Sequence, residues 1–263
     1  MRTAASTAEL IAQFNRDGFL VLPGVLSPAE VTMLKAGVER VFTRPSPEAA
    51  MYGHPAIWRP KMLEQGEEFE ALIDHPGIAA FADALLGDDC HLIANSALRT
   101  GPGQAISGWH VDDVVRVPLP RGVALDPRIP MPTYVLPCHY YLNDVDEELG
   151  PTQFIPGSHR SGRTPGPEDM DAHGIPRYGD RPVVSAAGPA GTCVMWHEQT
   201  WHRGGPNVSN GRIRWVIQTP FARRWVAQRF WPHVNYHLPE DVVARATPRR
   251  KRLLGFHAIG AYG

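Results

Sequence analysis

The segment Gly108-Trp109-His110-Val111-Asp112-Asp113 sets a histidine and an aspartate two residues apart inside an apolar run. On a β-strand, residues i and i+2 project from one face with Cα atoms roughly 7 Å apart, so His110 and Asp112 can converge on one small cation while Asp113 points away. One imidazole nitrogen and one carboxylate oxygen under-hold a divalent ion, and a second histidine is needed. His202, in Thr200-Trp201-His202-Arg203-Gly204-Gly205-Pro206-Asn207, is the candidate, and His197 competes with it. Two histidines and a carboxylate on one face of a metal, with the opposite positions open, suit a non-haem Fe(II) oxygenase. The same donors also suit a hydrolytic zinc ion. Twelve histidines and 27 acids in 263 residues produce a His-x-Asp/Glu pair roughly once by chance. The pair therefore gains weight only from its neighbourhood and from the segments downstream of it.

Such ligands need a scaffold that holds distant segments together. From Cys90 onward the chain alternates short apolar runs with Gly and Pro, which predicts antiparallel strands with helices outside them. The runs at 91–98, 105–113, 133–143, 152–156, 182–186, 192–196, 200–204 and 212–220 are the strand candidates. Eight short strands without helix-length spacers fit a double-sheet jelly roll or cupin-like barrel. Before them, Ser6 with Glu9 makes a capping box for a helix carrying Leu10, Ile11 and Phe14, which Gly18 can close. Phe19 to Leu22 reads as a strand. Ser27, Pro28 and Glu30 start a second helix striped by Val31, Leu34, Val38, Val41 and Phe42. Residues 43–66, with four prolines between Pro45 and Pro60, read as an irregular crossing, and 78–87 as a short helix. The division is N-terminal helices 1–88, β-core 89–221 and C-terminal tail 222–263, within one domain. In the tail, 239–246 predicts a helix, and Arg249, Arg250, Lys251 and Arg252 predict a solvated face. The proline-rich segment 116–132 and the polar segment 160–182 are long enough to be active-site lids.

Composition narrows the partners. With 26 Lys and Arg against 27 Asp and Glu, the net charge is −1, which gives no general attraction to nucleic acid or to an anionic membrane. The three cysteines, Cys90, Cys138 and Cys193, fall in apolar runs and read as buried reduced thiols of a cytoplasmic protein. Glu9, Arg16 and Asp17 interrupt the N-terminal region, which therefore lacks a signal-like or membrane-spanning apolar run. Oligomeric state is not legible.

Taken in order, Trp-His-Val-Asp-Asp at 109–113, Glu-Leu-Gly-Pro-Thr-Gln-Phe-Ile-Pro-Gly-Ser-His-Arg at 148–160, His-Arg-Gly-Gly-Pro-Asn-Val-Ser at 202–209 and Arg-Ile-Arg-Trp at 212–215 resemble the phytanoyl-CoA dioxygenase-like family of Fe(II)/2-oxoglutarate oxygenases. The resemblance spans roughly residues 7–220, and its most specific part is His-x-Gly-Gly-Pro-Asn-x-Ser followed by arginine. It implies a double-stranded β-helix with His110, Asp112 and His202 as iron ligands, and it favours His202 over His197 because His202 directly precedes the matching glycines. It also implies 2-oxoglutarate and O2 as cosubstrates, a small-molecule substrate such as a specialised metabolite, C–H hydroxylation, and release of succinate and CO2. The far carboxylate of 2-oxoglutarate calls for a planar guanidinium. One extra residue after Asn207 leaves both Arg212 and Arg214 as candidates on one strand face, with Arg214 preferred because it lies deeper in the apolar strand. Thr152 is a further candidate cosubstrate contact. Asn95, Gln104 and Ser107 are candidate pocket residues, His139, Tyr141 and Asn143 share one strand face, and Ser158 and His159 read as turn caps. Trp109 and Trp201 are candidate supports for the ligands. Desaturation, epoxidation and cyclisation are related outcomes, and a zinc hydrolase or a non-catalytic binding barrel are the competing readings.

Overall fold

The computed structural model describes residues 5–51, 53–229 and 236–258, together with the backbone but not the side chain of Ser107; the Trp231-Pro232-His233 run lies outside the described residues. The N-terminal helices follow their caps. Helix α1, Thr7–Asp17, starts on the Ser6/Glu9 capping box and stops at Gly18, whose φ of 83° is open to glycine. Strand β1, Phe19–Leu22, follows, and α2, Pro28–Phe42, starts on a second capping box at Ser27/Glu30. The irregular crossing holds more structure than its prolines suggest, namely α3, Pro47–Met51, and β2, Trp58–Pro60. Helix α4 spans Pro76–Leu86.

The β-region is antiparallel throughout its described pairings, and two predicted strands are broken. Residues 91–98 divide into β3, His91–Leu92, and β4, Ser96–Thr100. Residues 133–143 divide into β6, Val135–Leu136, and β7, Cys138–Tyr141, because Pro137 has no N–H to continue the ladder. Strand β5 is Ile106–His110, β8 Thr152–Phe154, β9 Val184–Ser185 and β10 Cys193–Trp196. Strand β11 is His202–Gly204, β12 Arg214–Gln218, and β13, Phe221–Ala222, is not among the strands the sequence predicts. A large sheet runs β1-β10-β7-β12-β4-β2, a smaller one β5-β11-β8-β9, and a third β3-β13-β6.

Alternation along the large sheet divides its two faces. Leu20, Ala97, Cys138, Tyr140, Cys193, Met195, Trp215 and Ile217 join Phe14, Leu34, Val38, Ile78 and Phe81 in the helical layer's core. Their sequence neighbours Phe19, Leu98, Tyr141, Val194, Trp196 and Val216 pack instead with Phe154 and Ala186 of the smaller-sheet region. The site forms between the two sheets. All three cysteines are buried and unpaired. After β13, helix α5, Glu240–Arg245, and α6, Pro248–Leu253, close the described chain. The basic cluster on α6 departs from the solvated-face expectation: Arg249 and Arg252 reach Asp83 at 2.7 and 2.8 Å, and Arg250 reaches Asp74 at 2.7 Å, binding the tail to the α4 region. Among the described residues, no helix is long and apolar enough to cross a membrane.

Candidate metal centre and adjoining cavity

Strands β5 and β11 place His110 and His202 directly opposite each other, with ring centroids 4.3 Å apart. Each ring is fixed by its own backbone. His110 Nδ1 lies 2.7 Å from the Gly108 carbonyl, and His202 Nδ1 lies 2.9 Å from that of Thr200. A carbonyl can only accept, so both protons sit on Nδ1 and both Nε2 lone pairs are left for a cation. Burial holds the His202 pKa below its ordinary value, which also keeps the ring neutral.

Asp112 arrives by a different route from the expected one. Strand β5 ends at His110, so Asp112 does not share a strand face with it. The chain bends, and Asp113 takes a left-handed conformation, φ 66°, which aspartate tolerates better than most residues. The bend is tied to the turn before β11, since Asp112 N–H donates to the Glu198 carbonyl at 2.8 Å and Gln199 Nε2 donates to the carbonyls of Asp112 and Val114. Asp112 Oδ1 consequently sits 3.6 Å from His202 Nε2 and 3.9 Å from His110 Nε2. The other oxygen, Oδ2, accepts the indole N–H of Trp196 at 2.8 Å. One oxygen is thereby engaged and the other is turned toward the two imidazoles. His110, Asp112 and His202 each offer a donor atom within 4.8 Å of the others, the sole such group of three among the described residues. Donors at right angles around an ion with bonds of about 2.1 Å lie roughly 3 Å apart, so small side-chain movements would seat one.

The competing histidine is elsewhere. His197 is buried against Phe14 and His159, and its Nδ1 accepts the Gln199 N–H. Neighbouring Glu198 is also fully buried, and burial pushes its carboxyl up to about 7.

A cavity of about 430 Å³ opens beside the three donors, near the small end of the roughly 300–1,000 Å³ range of ligand sites. Arg214, the first residue of β12, lines it and is 4% exposed. Its Nη2 reaches Thr100 Oγ1 at 3.3 Å, whereas Nε and Nη1 are buried without a hydrogen-bond partner among the described residues. A buried guanidinium with unused donors is costly unless an anion completes it. Gly204 keeps the space beside it open, because a Cβ there would lie 3.5 Å from Arg214 Nη2 and 3.2 Å from Ile106 Cβ. Thr152 lines the same cavity and hydrogen-bonds Tyr141, whose hydroxyl donates to the Ala186 carbonyl at 2.8 Å.

Several sequence candidates are placed differently. Arg212 does not share a face with Arg214; it lies outside β12, where Asn207 Nδ2 and Ser209 Oγ hold its carbonyl in a turn, and it ion-pairs with Asp146 and Glu148 at 2.7 and 2.9 Å. Asn95 and Gln104 do not line the cavity; Gln104 accepts the Gly101 N–H at 2.6 Å within a tight turn. Asn143 lies beyond the end of β7 and accepts the Trp215 N–H, while His139 lines the cavity beside Trp196 and Gln218. Burial, with Arg214 and His202 nearby, lowers the His139 pKa to about 3. Ser158 does close its turn, with Oγ donating to the Ile155 carbonyl and accepting the Trp201 N–H, and His159 holds the Asn15 carbonyl. Trp109 packs under Arg203, and Trp201 packs against Tyr178. The indole that touches a candidate ligand is Trp196, at the end of the apolar strand 192–196. The two segments predicted as lids line none of the cavity, and they bind each other through Arg160 to the carbonyls of Ile129 and Asp126 and through Arg121 to Asp169. The partly exposed Asp113 and Arg229 line the cavity instead.

A profile of the phytanoyl-CoA dioxygenase (PhyH) family matches residues 14–215. The ectoine dioxygenase of Stutzerimonas stutzeri (strain A1501) is 26% identical over 247 residues, covering 80% of this chain and 74% of its own. The L-proline trans-4-hydroxylase of Streptomyces griseoviridis is 25% identical over 249 residues, covering 81% and 85%. Among solved structures, HygX from Streptomyces hygroscopicus with nickel and 2-oxoglutarate bound superposes with a TM-score of 0.65 at 17% identity, covering 86% of this chain and 90% of that one. The non-heme alpha ketoglutarate dependent epimerase SnoN from nogalamycin biosynthesis superposes with a TM-score of 0.61 at 23% identity, covering 83% of each. These two likenesses bear on the fold.

Proposed function

From the premise that this chain belongs to the phytanoyl-CoA dioxygenase family and is an Fe(II)/2-oxoglutarate-dependent dioxygenase, we propose that His110, Asp112 and His202 hold the iron, that Arg214 grips the far carboxylate of 2-oxoglutarate, and that the reaction is hydroxylation of a C–H bond in a small organic molecule. The large and small sheets then form the two walls of a double-stranded β-helix, in one oxygenase domain of a cytoplasmic protein. The observation that carries this reading is Arg214: a buried guanidinium with two nitrogens lacking partners opens onto the same cavity as the three donors.

The bound iron, with 2-oxoglutarate and O2, supplies the oxidising power for an unactivated C–H bond and yields succinate and CO2. The protein's own residues bind and orient. The backbone bonds at His110 and His202 Nδ1 keep both Nε2 atoms unprotonated, and Trp196 leaves Asp112 one oxygen to offer. Thr152, which lines the same cavity, would donate to that carboxylate by turning its hydroxyl away from Tyr141. A zinc hydrolase would need a general base at the metal. Apart from Asp112, the cavity's carboxylate is Asp113, which two arginines already engage. The relatives' activities, an ectoine dioxygenase and an L-proline trans-4-hydroxylase, support a compact metabolite as substrate. The test is succinate formation from 2-oxoglutarate in air with added Fe(II), across a panel of such compounds. Iron- and substrate-dependent succinate with an added oxygen in the product is expected; hydrolysis without O2 consumption would contradict the reading.

A further inference from the structure

Two arginines line the cavity: Arg214, which is buried, and Arg229, which is half-exposed. The second is not among the residues proposed to hold iron or 2-oxoglutarate. Its backbone is anchored, since Arg229 N–H donates to the Ile93 carbonyl at 2.6 Å and Gln228 Nε2 donates to the carbonyls of Leu92 and Leu254. Its side chain is 46% exposed and, among the described residues, its polar contact is an ion pair with Asp113 Oδ2. A guanidinium carries five donors in a rigid fork, so most of this one is uncommitted.

Asp113 does not depend on that pair. Arg116 reaches the same Oδ2 at 2.6 Å, and the Arg116 guanidinium stacks over Tyr134 at 5.5 Å. Two guanidinium groups thus share one carboxylate, which leaves an excess positive charge there. If Arg229 turned to another anion, Asp113 would remain neutralised by Arg116. The left-handed turn at Asp113 directly follows Asp112, so the carboxylate that Arg229 engages belongs to the residue next to a proposed iron ligand, and both Asp113 and Arg229 line the cavity.

We infer that Arg229 is the receptor for a carboxylate on the substrate, so the molecule oxidised here is a small acid or amino acid, held by Arg229 with its reacting C–H directed toward the three donors. This inference rests on the proposed function and names the substrate class of that site. It requires that Arg229 exchange Asp113 for the ligand's carboxylate while Arg116 stays in place.

The experiment has two stages. Calorimetric titration of 2-oxoglutarate into the anaerobic Fe(II)-loaded protein comes first, because it tests the proposed function without any substrate: failure to bind there defeats the underlying reading and not this inference alone. Substrate-dependent succinate formation is then measured for matched pairs of small acids and their primary amides, beginning with L-proline and L-prolinamide. The members turned over should be the acids. For these, Arg229→Gln should raise KM at least tenfold while changing kcat less than threefold, and Arg229→Lys should recover part of the loss, a split that a merely structural salt bridge would not produce. Amides turned over as well as their acids, or an unchanged KM for Arg229→Gln, would overturn the assignment.

Discussion

The two faces of the large sheet, built from alternate residues of the same strands, differ in that one is apolar core and the other sets polar, cavity-lining side chains among its apolar ones. Toward the helices, β7, β10 and β12 present Cys138, Tyr140, Cys193, Met195, Trp215 and Ile217, a packed core that is apolar apart from the Tyr140 hydroxyl. On the other face the same three strands add His139, Arg214 and Gln218, which line the cavity with Trp196 and Val216, to the apolar Val194 and Tyr141, with unused donors on Arg214. A strand's period of two lets adjacent residues serve stability and ligand binding separately. The contrast is clearest within β12, where Arg214 faces the cavity and its neighbour Trp215 packs into the core.

Substitutions on the two faces should therefore affect different measurements. The largest binding effect is expected at Arg214: Arg214→Met should weaken 2-oxoglutarate affinity by about 2–5 kcal/mol, roughly 30-fold or more. Because that change removes a buried unpaired charge, the ligand-free protein should melt no lower than wild type in calorimetry. A marked fall in melting temperature would break the division of labour. On the other face, Ile217→Ala should cost about 2–5 kcal/mol in denaturant unfolding, the range for a buried branched residue, with 2-oxoglutarate affinity retained. Trp196→Phe keeps the ring but deletes the N–H on Asp112 Oδ2, and metal affinity measured by competition with a chelator should fall about 10- to 100-fold. The smallest effect belongs to Arg212→Ala, which breaks solvent-screened exposed pairs with Asp146 and Glu148; the denaturant midpoint should hardly move and 2-oxoglutarate affinity should be unchanged.

Much of this arrangement was legible in the chain. Caps at Ser6 and Ser27 act locally, so their helices begin where the sequence places them. The strand runs were visible through alternation, and the preference for Arg214 over Arg212 followed from hydrophobic depth. The misses are tertiary. Nothing local shows that β5 stops at His110, because its ladder partner lies about ninety residues away at His202. The role of Trp196 depends on a contact 84 positions apart in sequence, and an indole ending an apolar strand carries no mark of it. Arg229 was equally silent: a tail arginine becomes a cavity residue only once β3 and the Asp113 turn stand beside it. The lid expectation for 116–132 and 160–182 failed because segment length reports irregularity, and here the irregular segments are bound to each other.

The most direct test of the central assignment is metal stoichiometry by anaerobic titration of Co(II), a spectroscopic substitute for Fe(II), into wild type, Asp112→Ala, His202→Ala and His197→Gln. One equivalent should bind to wild type and to His197→Gln, while Asp112→Ala and His202→Ala should bind at least 100-fold more weakly. Tight one-to-one binding that survives in His202→Ala, or that disappears in His197→Gln with the protein still folded, would contradict it.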